Sequence, residues 1–224
     1  MSLFPPTERT TMPDAVFFDW DGTLVDSYQV LSDAHNGTLR ALGMPLLEEG
    51  AYRAYFGKDR QYIFSSIYKD KAQEATSICV QNIMANNHKI KPIKGAKEVL
   101  SFLQNQGVTL GLVTNKQRSF LEKELKYTGF SPYLPTIVAS AEAEADKPSA
   151  APLLLALDKA GLDPEREAIW YIGDTESDLL CARDARCKSG LIGASQDTKD
   201  LILKYEPFIS FDNYSSFRDF LVAI

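Results

Sequence analysis

Asp19 and Asp21 stand two residues apart in Asp19-Trp20-Asp21-Gly22-Thr23-Leu24-Val25-Asp26-Ser27, directly after the apolar run Ala15-Val16-Phe17-Phe18. Such a run reads as a buried strand, and open α/β sheets bind ligands outside the carboxyl ends of their strands. The pair therefore lies where chemistry is expected. One carboxylate can attack or bind a cation while the other moves a proton. An acidic turn is the plainer reading, because Asp and Gly are common turn residues. Three further places have a similar setting. Thr114-Asn115-Lys116 follows the apolar segment 108–113 and offers a hydroxyl and main-chain N–H donors at a helix start, which suits an anion. Asp146-Lys147-Pro148 precedes another helical pattern. Asp174 follows the strand-like Ile169-Trp170-Tyr171-Ile172-Gly173, and Asp178 comes one helical turn later, so both could face one cation. Taken singly, Thr114 reads as a helix cap, Lys147 as a solvated loop residue and one of these aspartates as an N-cap. A cap explains one aspartate better than two.

The elements that must position these residues alternate along the chain. Strand patterns at 108–113, 136–139, 169–172, 189–192 and 208–211 are interleaved with helical patterns at 95–106, 116–127, 149–160, 176–186 and 215–222. Gly107, Gly129 and Gly161 stand where helices should stop, and Pro152 suits a first helical turn. Alternation of this kind predicts an α/β fold with a doubly wound, mostly parallel sheet. The segment 28–91 breaks the rhythm. It shows no strand, three or four helical patterns, and turns at Gly43-Met44-Pro45, Gly57-Lys58-Asp59 and Asn86-Asn87. It is too long for a simple connection, so we expect a small helical domain (28–91) inserted into a core made of 13–27 and 92–224, with 1–12 a disordered lead-in.

Composition narrows the function. With 45% hydrophobic and 24% charged residues, the 224-residue chain has material for a full core. A net charge of -6 argues against a nucleic-acid partner. It leaves anionic substrates open, since a bound cation reverses the local sign of an acidic pocket. No apolar stretch reaches membrane-spanning length, and the first residues lack a signal-peptide core. Cys79, Cys181 and Cys187 are odd in number and lack metal-ligand spacing, which predicts a reduced, cytoplasmic setting, with Cys181 packed in a helix. His35 and His88 have no partners at ligand spacing and read as core or surface residues.

Order and placement together decide more than any one motif. With DWDGTLVDS first, VTN second, DKP third and GDTESDLLCAR fourth, the chain resembles the haloacid dehalogenase superfamily of hydrolases. It looks most like the phosphoglycolate-phosphatase-like members, which carry a small helical cap after the first motif. The resemblance implies a Rossmann-like core and a Mg²⁺-dependent phosphatase acting on a small phosphorylated metabolite, phosphoglycolate-like or a sugar phosphate. It implies that Asp19 is the nucleophile, forming an aspartyl-phosphate, and that Asp21 is the general acid and base. Asp19, Trp20, Asp21, Thr114, Asn115 and Lys147 would surround the phosphate. Mg²⁺ would be held by Asp19, the Asp21 main-chain carbonyl and Asp174, with Asp178 supporting them.

These residue types suit that chemistry. Mg²⁺ takes oxygen ligands, and a carboxylate approaches a phosphate dianion only when cations offset the repulsion. Lys58 and Arg60, in the turn between two cap helices, would meet an anionic leaving group, or else form a solvated turn. We expect a small phosphate ester as partner, neither nucleic acid nor membrane, and a monomer or weak dimer. Three features depart from the usual pattern: Trp20 between the aspartates, read as a packing residue; Ala150 where a second proline is usual; and Arg186-Cys187 where Ala-Gly is common. A phosphomutase of the same superfamily needs the same residues and stays as the alternative. Haloacid dehalogenases of the superfamily lack the second aspartate. From another class, a phospho-accepting receiver domain would be about half this length, and a non-catalytic binding module would not need the full acid set.

Overall fold

The structure, a computed structural model, describes residues 11–224. β1 (Ala15–Phe18) is buried at every position, as a strand without polar alternation must be when both sheet faces are covered. There follow β2 (Val25–Asp26), α1 (Tyr28–Ala41), α2 (Arg60–Tyr68), α3 (Ala72–Asn86), β3 (Lys91–Pro92) and α4 (Ala96–Asn105). Next come β4 (Thr109–Val113), α5 (Arg118–Thr128), β5 (Thr136–Val138), α6 (Ala151–Ala160), β6 (Ile169–Gly173) and α7 (Glu176–Asp184). β7 (Lys188–Ile192), α8 (Gln196–Tyr205), β8 (Ile209–Phe211) and α9 (Tyr214–Ala223) complete the chain.

Six strands form one sheet in the order β5-β4-β1-β6-β7-β8, and every pair is parallel. The chain leaves β1 toward β4 and β5, then crosses to β6 on the other side. That reversal makes a switch point beside β1, where such sheets bind ligands. Alternation within β1 serves both faces. Val16 and Phe18 pack with Leu100, Leu121 and Phe217 of α4, α5 and α9, while Ala15 and Phe17 pack with Leu153 of α6 and Ala182 of α7. The doubly wound α/β architecture is thus as expected.

Register brings the site together. Phe18 is level with Leu112 of β4 and Ile172 of β6. Asp19, Val113 and Gly173 are therefore level with one another, and Thr114 and Asp174 lie one step beyond.

Between β2 and β3 the helices α1, α2 and α3 bury a cluster of their own around Leu39, Tyr52, Ile67 and Tyr68. β2 and β3 pair antiparallel, Val25 with Pro92 and Asp26 with Lys91, so the two passages into and out of this helical segment run side by side.

The structure departs from expectation in a few places. α8 was not foreseen, because its apolar face is short, with Leu201, Ile202 and Tyr205 meeting Leu179 and Leu191. Its start is fixed by Ser195, whose side chain accepts from the Thr198 N–H. α5 begins at Arg118 rather than 116, since Gln117 is extended. The turn at Arg186 forms despite the missing glycine, with Arg186 itself in the left-handed region at φ 60°. Most of the lead-in expected to be disordered lies outside the described residues, but Met12 packs on the first core cluster. Among the described residues no helix is long and apolar enough to cross a membrane.

Candidate active site

At the carboxyl end of β1 the chain turns sharply, with the Trp20 carbonyl accepting from the N–H groups of Thr23, Leu24 and Val25. Gly22 makes the turn possible: its φ is 84°, and a Cβ there would strike the Asp174 carboxylate and the Phe56 ring. The turn leaves the Trp20 and Asp21 N–H groups without hydrogen bonds among the described residues. The Trp20 indole points the other way. It is fully buried, edge-on to Phe130, and donates from Nε1 to Glu124 Oε2 at 2.5 Å. Any phosphate contact at Trp20 thus falls to its main chain.

Lys147 links the first and fourth motifs. Its Nζ donates to Asp19 Oδ1 at 2.6 Å, to Asp178 Oδ1 at 2.7 Å and to the Tyr171 hydroxyl at 2.9 Å. Tyr171 in turn donates to the Val113 carbonyl. Lys147 is 3% exposed, which excludes the solvated-loop reading. Burial alone would pull its ammonium pKa down, but Asp178 and Asp19 reverse this and hold it above its ordinary value. Asn115 does not aim its side chain at a ligand. Its amide grips the Lys147 main chain, Nδ2 to the carbonyl and Oδ1 from the N–H, both at 2.9 Å. With its amide so engaged, any phosphate contact at Asn115, which lines the cavity, falls to its main chain. Thr114 is no helix cap either, since the N-cap position of α5 is Gln117. It stands in the cavity wall beside Asp19.

The fourth motif separates two aspartates by task. Asp178 lies across the end of β6, where a Cβ on Gly173 would collide with its carboxylate. Its Oδ2 accepts from the Thr175 hydroxyl at 2.6 Å and the Thr175 N–H at 3.0 Å, while Oδ1 faces Lys147. Burial pushes Asp178 up, but Lys147 and Thr175 outweigh it and hold its pKa below the usual carboxylate range. Among the described residues the Asp174 carboxylate has one donor, the Thr23 hydroxyl at 3.0 Å. Burial, then Asp178 and Asp19, push its pKa well above the usual range. Asp19 behaves similarly: burial raises it to about 7, with Lys147 opposing and Asp178 adding to the rise.

Ligand oxygens of Asp19, Asp174 and Asp178 lie within 4.8 Å of one another. An all-oxygen set with two desolvated, mutually repelling carboxylates fits a hard divalent cation. Asp19 and Asp174 offer the oxygens for it. Asp178, with both oxygens engaged, braces Lys147 and the β6–α7 turn instead.

Asp19, Asp21, Thr114 and Lys147 floor a cavity of about 130 Å³, roofed by the helical segment through Phe56, Ile63, Phe64 and Arg60. Arg60 lies over the Phe64 ring at 4.8 Å. Lys58 instead reaches Glu176 of α7 at 3.2 Å, and Glu176 also holds Lys204 and Tyr205. Both cations border the cavity, and Lys58 in addition ties the helical segment to the sheet domain.

Sequence reasoning missed Lys116, Glu124, Tyr171 and Thr23. Lys116 Nζ donates to Asp21 Oδ1 at 2.8 Å and lies 2.9 Å from Glu124 Oε1. Its place directly after Thr114-Asn115 was a usable signal, had it been read as loop rather than helix.

Comparison with known proteins agrees with this arrangement. A family model described as haloacid dehalogenase-like hydrolase matches residues 16–192. Phosphoglycolate phosphatase 1 of Pseudomonas aeruginosa is 29% identical, over 95% of this chain and 81% of the relative. Pyrophosphatase PpaX of Bacillus velezensis is 28% identical, over 86% of this chain and 89% of the relative. A haloacid dehalogenase-like hydrolase structure from Streptococcus pneumoniae superposes with a TM-score of 0.84 at 26% identity, covering 94% of this chain and 99% of that one. A predicted phosphoglycolate phosphatase from Haemophilus somnus superposes at 0.85 with 22% identity, covering 94% and 98%. The match spans all four motifs around the switch point and the helical segment between the first two, and the chain belongs to the haloacid dehalogenase-like hydrolases.

Proposed function

We propose that the protein is a Mg²⁺-dependent phosphatase that hydrolyses a small phosphate monoester through an aspartyl-phosphate on Asp19. The observation that carries this reading is the placement of Asp19 at the end of the central strand, 2.6 Å from Lys147 and within a three-aspartate cluster. An Asp19 oxygen attacks phosphorus and the ester P–O bond breaks. Asp21, protonated at this stage, gives its proton to the leaving alcohol. Water then attacks phosphorus, Asp21 takes the proton, and phosphate leaves with Asp19 restored. Lys147 and Thr114 hold the transferring group, and the free N–H groups of Trp20 and Asp21 meet its oxygens. Asp19, Asp174 and the Asp21 carbonyl would hold Mg²⁺, which would offset the charge of the phosphate.

The helical segment 28–91 acts as a cap that excludes water and selects the leaving group. A cavity of about 130 Å³ is small beside the about 300–1,000 Å³ of drug-sized sites, which supports a small ester. The named activities of the relatives, on phosphoglycolate and pyrophosphate, support an anionic one. Purified protein should release phosphate from p-nitrophenyl phosphate with MgCl₂ and stop with EDTA. A panel of phosphoglycolate, pyrophosphate and sugar phosphates then ranks substrates. Asp19→Asn should lower turnover on the order of 10³-fold or more with an unchanged circular dichroism spectrum. Near-normal turnover in that variant overturns the reading.

A further inference from the structure

We infer that Lys116, Glu124 and Trp20 form a buried relay that fixes the orientation of Asp21, and that Lys116 is a positioning residue for proton transfer to the leaving group. The inference rests on the reading of Asp21 as acid and base. Three contacts carry it. Lys116 donates a hydrogen bond to Asp21 Oδ1 at 2.8 Å. The same Nζ lies 2.9 Å from Glu124 Oε1, an ion pair without hydrogen-bond geometry. Glu124 is locked on its other oxygen by the Trp20 indole at 2.5 Å. The relay runs from the residue between the two aspartates, through α5, and back to the second aspartate.

An aspartate carboxylate rotates readily about its terminal bond, and Asp21 sits where Asp19 and Asp174 concentrate negative charge. Tethering Oδ1 to Lys116 leaves Oδ2, which makes no hydrogen bond among the described residues, to face the leaving oxygen in the cavity. The side chains of Lys116 and Glu124 are 5% and 0% exposed. Buried charges of this kind add little stability over apolar residues of the same volume, so their value here is placement. The relay also gives the buried Trp20 indole a partner, since its N–H holds Glu124. A smaller apolar residue has no N–H to hold Glu124.

The test compares kcat on glycerol phosphate, whose alkoxide must be protonated, with kcat on p-nitrophenyl phosphate, whose leaving group needs no proton. Asp21→Ala should lower the alkyl-to-aryl ratio about 10²-fold or more. Lys116→Met should lower it about tenfold, and Glu124→Gln and Trp20→Phe by smaller factors in that order. Lys116→Met added to Asp21→Ala should leave the ratio where Asp21→Ala put it, because a relay acts only through its end. A core role alone would lower both rates together and keep the ratio. An unchanged ratio in folded Lys116→Met overturns the inference, as does a further fall of the ratio in the double variant. Should Lys116→Met fail to fold, Glu124→Gln, which keeps volume, and Trp20→Phe, which keeps an aromatic ring but drops the indole N–H, read the same ratio, and an unchanged value in both overturns the inference. If Asp21→Ala itself keeps the ratio, the acid–base reading falls and takes the relay with it. If only Asp21→Ala lowers it, the relay falls alone.

Discussion

On the floor of the cavity Lys147 joins Asp19, Asp178 and Tyr171 in one hydrogen-bonded knot, with Asp174 pressed beside it. On the roof, rings meet rings: His35 stacks on Tyr68 at 5.7 Å, and Phe64 lies 5.2 Å from Tyr68. The floor sits at fixed strand ends and is made of groups that lose much when a single partner goes. The roof is held chiefly by ring packing and burial, which tolerate exchange of shape for shape, with one buried hydrogen bond between His35 Nδ1 and the Tyr68 hydroxyl at 2.7 Å. On the proposed function, chemistry would fall to the polar floor and selection to the adaptable roof.

The contrast within the floor itself predicts the largest effects. Asp178→Ala removes the partner of Lys147, Tyr171 and Thr175 and should cost about 3–5 kcal/mol, measured by urea unfolding. Asp174→Asn should do the opposite in EDTA, raising Tm by a few degrees through loss of repulsion, while activity falls and needs much higher Mg²⁺ to recover. Equal destabilisation by both would erase the distinction between a bracing and a cation-facing carboxylate.

Acid should act on floor and roof with opposite sign. Burial pushes His35 from 6.5 down to about 4, so the unfolded chain binds the proton first. The stability that neutral His35 provides is complete above about pH 6.5 and declines toward pH 4, by roughly 3 kcal/mol in all. In metal-free protein Asp19, raised from 3.8 to about 7, binds its proton first in the folded state, and stability rises as pH falls through about 7 toward 3.8. Amide exchange protection, compared at pH 7 and pH 5, should fall in α1 and hold in β1 and β6. His35→Asn should flatten the loss in α1. Parallel losses in both regions would refute the opposed signs.

The smallest effects separate the two cations of the cap turn. Lys58→Ala breaks a partly exposed pair with Glu176 worth up to about 1 kcal/mol, so KM should rise by a few-fold for every substrate alike. Arg60→Ala should raise KM only for esters with an anionic leaving group. If Lys58→Ala shows the selectivity expected of Arg60→Ala, Lys58 reaches the substrate after all.

The same division explains what was legible beforehand. β1, β4 and β6 were readable because continuous apolar runs end in acids or Thr at sites where a parallel sheet gathers its strand tips, and the register then delivered Asp19, Thr114 and Asp174 to one place. Lys147 was readable by motif order and not by its neighbours, since nothing local says that a lysine before proline is buried. Glu124 was invisible. Its position on α5 marks it as an ordinary helical acid, and only the packing of α5 against the first-motif turn shows that its partners lie at Trp20 and Lys116. α8 escaped because three apolar residues at its far end make a weak period. The Asn115 clamp was not legible because an amide can serve a ligand or a main chain equally well, and the choice depends on where residue 147 passes.

The antiparallel pairing of β2 with β3 bears on how such a chain could change its specificity over time. Because both ends of the inserted segment meet in one two-stranded ribbon, the core sees it as a single loop closed at its base. The entropic cost of lengthening a loop so closed grows only with the logarithm of its length. Helices could be added, lost or exchanged beyond Asp26 and Lys91 without moving a strand tip. The catalytic floor could thus be inherited intact while the roof is replaced as a unit.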